Sequence, residues 1–279
     1  MYKHARTICK PFSCFLLFCL LAMAGNIALA NTEFPGRAIY PDVKVIGLKT
    51  LKKQLNDVVV VDVRSAYEYD TLRIKTATNI PVASGTFVDK IYALRSSTDK
   101  PIVFYCNGKT CMKSYKAAQK CMQSRINNVS AFDAGIMDWA KTYPKDSLLL
   151  GKPLNNPKLL ISKARFNKHL LTPDQFVNKV ANSKSLVLDV RDRFQRDALA
   201  LFPGRERRAY LDQTNKLDRY INRAKKRGRT LLIYDAAGKQ VRWLQYYLEY
   251  KRVPSYFFMK GGARAYYSAL TDNSFGKNK

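Results

Sequence analysis

The fold of this chain is decided by the stretch PIVFYCNGKTCMK at residues 101–113. An apolar run, 102–104, ends at Tyr105 and Cys106, and a helical pattern over 113–125 begins after the next six residues. This order predicts a buried strand that passes through a loop directly into a helix. Because backbone N–H groups of such a loop and the positive end of the helix dipole point at the cysteine, we expect its thiol pKa to lie below the free value of about 8.5. The same groups can hold a small anion.

Three segments of the chain recur in the same order, the first two at spacings of roughly 127 and 129 residues, which is typical of a duplicated domain. VVVVDVR matches SLVLDVR, and IVFYC matches LLIYD, in which an aspartate stands where the first copy has its cysteine. The paired segments are 58–64 and 185–191, 102–106 and 231–235, and 131–139 and 256–266. The repeat predicts two halves of the same design.

Within each half, runs rich in Val, Ile and Leu alternate with helical patterns, which predicts parallel strands covered by helices on both faces. The predicted helices are 48–55, 113–125, 172–180, 217–226 and 241–251. The predicted fold class is therefore α/β, with two domains that each have a central parallel β-sheet flanked by helices. We expect the domains at 38–145 and 158–275, joined by a linker at 146–157 that has no clear period.

The first thirty residues have the order of a signal peptide. Basic residues (Lys3, Arg6 and Lys10) precede an apolar run at 15–25, and small residues end the segment at Ala30. The apolar run of roughly eleven residues is shorter than the ~20 needed to span a bilayer. We predict a signal peptide at 1–30, cleavage after Ala30, and a periplasmic or secreted protein.

The composition is that of a globular protein with a large positive charge. The chain has 279 residues, of which 47% are hydrophobic, and a formal net charge of +28. Such a charge keeps a protein soluble, raises the local concentration of small anions and attracts a protein peripherally to anionic membranes. No nucleic-acid recognition motif is present, so we do not expect nucleic acid as a partner.

Three cysteines follow the predicted signal peptide, at positions 106, 111 and 121. An odd number in an oxidising compartment leaves at least one thiol without an intramolecular partner. Cys111 is a candidate resolving thiol for Cys106, and Cys121 is expected to pack as a small buried hydrophobe. His169 is the only histidine after the predicted signal peptide, so we expect neither a metal site nor a cofactor.

At this point the chain resembles the rhodanese family, specifically a tandem rhodanese-like sulfurtransferase. The family markers in the N-terminal half are DVR at 62–64 with Tyr67 and Glu68, ATNIP at 77–81, Tyr105 and Cys106, Ser114 with Ala117 and Ala118, and 135–139. The resemblance implies thiosulfate sulfurtransferase activity, in which Cys106 becomes a persulfide. The implied partners are a small anionic sulfur donor and an acceptor that is cyanide, a thiol or a protein.

The resemblance makes Cys106 the nucleophile that attacks the outer sulfur of thiosulfate. The persulfide is expected to be stabilised by the N–H groups of the loop. Lys109 and Lys113 are candidates for neutralising a dianionic donor, and Gly108 for giving the loop a backbone conformation that a side chain would hinder. The expected substrate-binding loop consists of Asn107, Gly108, Lys109, Thr110, Cys111, Met112 and Lys113.

Several positions depart from the family pattern. Met112 stands where related phosphatases carry an arginine that binds the oxyanion, which argues against phosphatase chemistry. Asp235 occupies the nucleophile position of the second half, so that half is expected to be non-catalytic. Two alternatives stay open: a sulfur carrier or binding module that uses Cys106, and a thiol-disulfide redox protein that uses Cys106 and Cys111.

Overall fold

The computed structural model describes residues 33–181, 184–192 and 200–275, which form two halves around two parallel β-sheets. The predicted signal peptide, 1–30, lies outside the described residues. In the described part of the chain, no helix combines the length and the apolar character that crossing a membrane requires.

The N-terminal half is an alternation of short strands and helices. Helices α1 to α6 span Gly36–Ile39, Leu48–Lys53, Ala66–Thr71, Phe87–Ser96, Lys113–Gln123 and Gly135–Thr142, and strands β1 to β5 span Val59–Asp62, Leu72–Ile74, Thr78–Asn79, Ile102–Tyr105 and Val129–Phe132.

Four of these strands form a parallel sheet in the order β3-β1-β4-β5. An isolated parallel bridge from Val45 to Ala131 extends it beyond β5. All four residues of β4 are buried, because helices cover both faces of the sheet, and this explains the uninterrupted apolar run in the sequence. Cys106 therefore emerges at the carboxyl end of a central strand.

The predicted linker at 146–157 is an ordered hairpin in the structure. Strands β6 (Ser147–Leu149) and β7 (Lys152–Pro153) pair antiparallel with each other, and β6 pairs with β2. Leu150 and Gly151 both have positive φ, as the two-residue hairpin turn that matches strand twist requires. The segment has no periodicity in the sequence because its strands are only two and three residues long.

The C-terminal half repeats the alternation. Helices α7 to α11 span Lys163–Asn167, Pro173–Ala181, Thr214–Lys226, Val241–Tyr250 and Gly262–Phe275, and strands β8 to β12 span Leu170–Leu171, Ser185–Asp189, Glu206–Arg208, Thr230–Tyr234 and Tyr256–Met259. The strands form a parallel sheet in the order β10-β9-β11-β12-β8. Strand β11 holds the central place that β4 holds in the first sheet.

The two halves share an apolar core. Side chains from both, including Tyr105, Trp139 and Leu244, belong to one cluster of buried residues. At the interface the Trp243 ring of α10 packs against the buried Arg64 guanidinium, 5.0 Å from the ring centre. This packing places the loop after β4 next to the loop after β11.

The α/β architecture with parallel sheets flanked by helices is confirmed. The predicted helices are present with ends shifted by a few residues: α5 ends at Gln123 rather than at 125, and α9 begins at Thr214 rather than at 217. Such shifts are expected because apolar periodicity locates the middle of a helix better than its ends.

Candidate active site

Cys106 lies directly after β4 and is fully buried. Its carbonyl oxygen accepts a hydrogen bond from the Ile136 N–H (2.9 Å), and the Asn107 carbonyl accepts one from Met137 (3.4 Å). Both donors lie in the first turn of α6, where the N–H groups have no partner within the helix. The loop is thus anchored to the start of the helix after the next strand.

Gly135 makes this close approach possible. Its φ is +66°, and a Cβ built there would lie 2.6 Å from Gly108 Cα and 2.7 Å from the Cys106 carbonyl oxygen. A larger residue at 135 would therefore push the cysteine loop away from its seat. Gly108 contacts the same region, since its own Cβ would lie 3.4 Å from the Ala134 carbonyl oxygen.

Cys106 and Cys111 form a disulfide, with their Cα atoms 6.4 Å apart. The Cys106 Sγ lies 3.1 Å from the Cys111 carbonyl oxygen and 3.7 Å from the Ser114 hydroxyl. In the described part of the chain no backbone N–H donates to this sulfur. The expected amide cradle is therefore not formed around Cys106 in the disulfide state, because the sulfur is turned toward Cys111.

Asn107 is held by a buried network from β1 and α3. Its side-chain Nδ2 donates to Glu68 Oε1 (2.9 Å), and its Oδ1 accepts from Arg64 Nη1 (3.2 Å). Arg64 in turn donates through Nε to Asp62 Oδ1 (2.9 Å). The network fixes the residue next to Cys106.

Glu68 is the ionised centre of this network. It caps α3 in a reciprocal capping box with Ser65. Burial alone would raise the pKa of Glu68, but the charges of Lys113 and Arg64 and the hydrogen bond from Asn107 outweigh burial and hold that pKa below its ordinary value. The carboxylate therefore stays charged beside the loop.

The two lysines expected to meet a dianionic donor are engaged by carboxylates. Lys109 pairs with Glu33 and lies 3.5 Å from Asp138, and Lys113 lies 3.5 Å from Glu68. Their charge is thus partly compensated within the protein. Among the remaining predicted loop residues, Thr110 is exposed, and Met112 is half-buried against the N-terminal core, where it provides no hydrogen-bond donor.

Two clefts meet at Cys111, which is half-buried and lines both. One cleft, of about 490 Å³, separates the cysteine loop from the loop after β11 and carries Lys113, Lys116 and Lys239. The other, of about 920 Å³, carries Lys163, Lys239 and Arg242 with Phe166 and Trp243. The C-terminal half therefore forms one wall of the candidate site.

The loop after β11 contains the amide cradle that the sequence predicts for the cysteine loop. The buried Asp235 carboxylate accepts hydrogen bonds from Gln240 N–H (2.6 Å), Ala237 N–H (3.0 Å) and Val241 N–H (3.1 Å), and from Gly238 N–H. These groups point at the position equivalent to the Cys106 side chain. Here the anion in the cradle belongs to the protein.

The cations of the C-terminal wall were not predicted from the sequence. Lys163, Lys239 and Arg242 are scattered among many other basic residues, and only the packing of the two halves brings them to Cys111. Glu68 and Ser114 were identified as family markers, but their contacts with Asn107 and Cys106 were not predicted.

Cys121 is free and buried, as expected. In the part of the chain that the structure describes, no three His, Cys, Asp or Glu residues are grouped as metal ligands.

Comparison with known proteins gives a family match for the half that carries Cys106. The family model of the rhodanese-like domain matches residues 48–142. The tRNA uridine(34) hydroxylase of Bdellovibrio bacteriovorus is 32% identical over 95 residues, which are 34% of this chain and 27% of that protein. Its counterpart from Hamiltonella defensa is 30% identical over 98 residues, which are 34% of this chain and 26% of that protein. The matched segment thus spans about a quarter of these relatives. The match to the rhodanese-like domain model supports a sulfurtransferase-type family for the N-terminal half.

Two solved structures match parts of this chain with low TM-scores. The thiosulfate sulfurtransferase of Pseudomonas aeruginosa is 16% identical, with 82% of this chain and 46% of that chain covered and a TM-score of 0.36. The BH2092 protein of Bacillus halodurans is 24% identical, with 47% of this chain and 94% of that chain covered and a TM-score of 0.35.

Proposed function

We propose that this protein is a sulfurtransferase that moves sulfane sulfur from thiosulfate or a similar donor through a persulfide on Cys106 to a thiophilic acceptor. The observation that carries the proposal is the position of Cys106. It follows the central strand β4, at the start of the loop that leads into α5, inside the segment 48–142 that matches the rhodanese-like domain.

The reaction begins from the dithiol form. The Cys106 thiolate attacks the outer sulfur of thiosulfate, the S–S bond of thiosulfate breaks, and sulfite leaves with the bonding electron pair. The Ser114 hydroxyl, 3.7 Å from the sulfur, is placed to donate a hydrogen bond to the thiolate. A nucleophilic acceptor such as cyanide then attacks the outer sulfur of the persulfide and releases the Cys106 thiolate.

A second function, thiol-disulfide exchange, is favoured by the disulfide between Cys106 and Cys111. The Cys111 thiolate can attack the inner sulfur of a Cys106 persulfide, which forms the disulfide and releases the outer sulfur as hydrosulfide. In this reaction the sulfane sulfur is reduced and the two cysteines are oxidised. An external thiol must then return the pair to the dithiol form.

Variants of the three cysteines test the proposal. Production of thiocyanate from thiosulfate and cyanide should be abolished in Cys106→Ser and unchanged in the control Cys121→Ser, whose thiol is free and buried. Full activity in Cys106→Ser would contradict the proposal. Cys111→Ser separates the two functions, since a sulfurtransferase keeps its thiocyanate production in this variant and an exchange protein loses its hydrosulfide release.

The remaining parts of the proposal are export through the segment 1–30 and a non-catalytic C-terminal half that repeats the design of the first. N-terminal sequencing of protein isolated from producing cells tests export. A chain that begins at Asn31 supports it, and a retained Met1 contradicts it.

A further inference from the structure

The two cysteines of the disulfide differ in their access to the clefts. Cys106 is fully buried, whereas Cys111 is half-buried and lines both clefts. An external thiolate therefore reaches the Cys111 sulfur and expels Cys106 as the leaving group. Exchange is faster when the leaving thiol has the lower pKa, and this agrees with the role proposed for Cys106.

The larger cleft in front of Cys111 carries both paired cations and cations that form no ion pair within the described part of the chain. Lys141 lies 3.8 Å from Asp138, and Lys109 is paired as described above. By contrast, Lys163, Lys239 and Arg242 form no ion pair with any of the described residues. All three belong to the C-terminal half, so the half that lacks a nucleophile supplies the unpaired positive charge of this larger cleft.

The size and lining of this cleft fit a molecule larger than thiosulfate. Its volume of about 920 Å³ falls in the range of clefts that hold ligands of drug size. The largely buried side chains of Phe166 and Trp243 also line it. The backbone amides of the neighbouring loop are occupied by Asp235, so the side-chain cations are the groups left to bind an external anion on this wall.

We propose that the C-terminal wall, through Lys163, Lys239 and Arg242, selects a thiol with anionic substituents as the compound that reduces the Cys106–Cys111 disulfide. This inference rests on the proposed function, because it names the reductant of the same cysteine pair. The guanidinium of Arg242 matches a carboxylate in a two-bond fork, and the two lysines act as point charges that attract the anion.

The exchange consumes two thiols. The first thiolate attacks Cys111 Sγ, the protein disulfide breaks, and Cys106 leaves as a thiolate with the electron pair. A second thiolate attacks the sulfur of the bound thiol in the resulting mixed disulfide and releases Cys111. The two thiols are oxidised to their disulfide, and the protein receives the two electrons.

The test compares thiols of different charge on the oxidised full-length protein. The appearance of free Cys106 is followed by alkylation and mass spectrometry with mercaptosuccinate, 2-mercaptoethanol and cysteamine, and each rate constant is expressed per thiolate. At low salt we expect mercaptosuccinate to react about tenfold faster than cysteamine, and this preference to vanish in concentrated salt. A second comparison uses two cysteine peptides, one with flanking glutamates and one with flanking lysines, and shows whether protein thiols share the preference. The proposal is supported if, in either comparison, the acidic thiol reacts faster than the cationic one.

Charge-reversed variants locate the selectivity. Lys163→Glu/Lys239→Glu changes two exposed side chains of the wall, and Arg223→Glu/Lys226→Glu makes the same charge change on exposed positions of α9. We expect the wall variant to lose the preference for mercaptosuccinate and the control to keep it. Equal rates for all thiols in the wild type, or equal losses in the two variants, would overturn the inference.

Failure of this inference is distinguishable from failure of the proposed function. Persulfide formation on reduced Cys106 and the production of thiocyanate are measured without the reducing thiols. If these are present and charge selection is absent, the inference alone fails. If charge selection is present without a persulfide, the sulfurtransferase proposal fails and thiol-disulfide exchange is left.

Discussion

The loops after β4 and β11 are anchored by the same backbone hydrogen bond, here called the shared frame, but one contains a disulfide and the other a buried carboxylate. In each, the second residue of the helix after the next strand donates its N–H to the carbonyl at the nucleophile position: Ile136 to Cys106 (2.9 Å) and Ala263 to Asp235 (2.8 Å). In the loop after β11, five residues (236–240) precede α10, and their amides converge on the Asp235 carboxylate. In the loop after β4, six residues (107–112) precede α5, and a disulfide closes the loop. The same anchoring hydrogen bond is therefore compatible with two loop structures, one that surrounds the Asp235 carboxylate with amides and one in which Cys106 bonds to Cys111.

The sharpest way to break the shared frame is to substitute its glycines. Gly135 and Gly262 both have positive φ, and a Cβ on Gly262 would lie 2.7 Å from Ala237 N. We expect Gly135→Ala and Gly262→Ala each to lower the free energy of unfolding by about 3 kcal/mol, from backbone strain and overpacking together. Only Gly135→Ala should also abolish sulfur transfer in the protein that remains folded. Denaturant unfolding and thiocyanate production measure the two effects.

The matched control for these substitutions is Gly151→Ala. Gly151 has φ of +78° but no atom within 4 Å of a built Cβ, so it reports backbone strain alone. We expect it to cost about 1 kcal/mol. If Gly135→Ala lowers the free energy of unfolding by no more than Gly151→Ala does, the close packing at position 135 does not hold the cysteine loop in place.

The next largest effect is expected at the occupied cradle. Asp235→Asn removes the charge that four backbone N–H groups share. Since hydrogen bonds to charged groups contribute about 1.5–3 kcal/mol, we expect a loss of about 2 kcal/mol in the free energy of unfolding, with thiocyanate production unchanged. Asp235→Glu serves as the control that retains the charge. A loss of activity equal to that of Cys106→Ser would give Asp235 a role in the reaction that the comparison does not assign to it.

The network behind Asn107 predicts a smaller, pH-dependent effect. The folded-state pKa of Glu68 lies below its ordinary value of 4.5, so the unfolded chain takes up this proton first as the pH falls. The stabilisation is therefore present above pH 4.5 and is lost as the pH falls through the folded-state pKa. We expect Glu68→Gln to lower the free energy of unfolding by about 1 kcal/mol at pH 7 and to make no difference at the acid end. Unfolding curves from pH 7 to pH 3 measure the difference, and a constant difference over that range would contradict the assignment.

The smallest effect is expected at Ser114. Its hydroxyl is fully buried and faces the Cys106 sulfur. Loss of one hydrogen bond to the thiolate corresponds to roughly a threefold to tenfold slower attack on thiosulfate. Rapid-mixing measurements of sulfite release compare Ser114→Ala with Ser114→Thr, which keeps the hydroxyl. Equal rates for Ser114→Ala and the wild type would remove this contact from the mechanism.

The sequence was sufficient for the sheets and for the position of Cys106. Local apolar runs determine β4 and β11, and the change from strand to helix pattern places the cysteine at a strand end. The hairpin at 147–153 was not predicted, because its short strands are set by pairing with β2, which is distant in sequence.

The groups that the two loops hold, a disulfide in one and a carboxylate surrounded by amides in the other, could not be predicted from residue types. The pattern predicts amides that point at the residue after the strand, but in the structure they surround Asp235 while Cys106 bonds to Cys111. The two loops also differ in length by one residue, since 107–112 precede α5 and 236–240 precede α10. The charges of the cleft wall likewise follow from how the halves dock, since Lys163 and Lys239 lie far from Cys111 along the chain.

The central claim is that the loop after β4, once reduced, holds a reactive sulfur at Cys106. The most direct test is to reduce the full-length protein, remove the reductant, add thiosulfate, and map the products by mass spectrometry without further reduction. The account predicts the mass of one added sulfur atom on the peptide that contains Cys106, and no such addition in Cys106→Ser. An unmodified Cys106 peptide, or the added sulfur on Cys121, would contradict it.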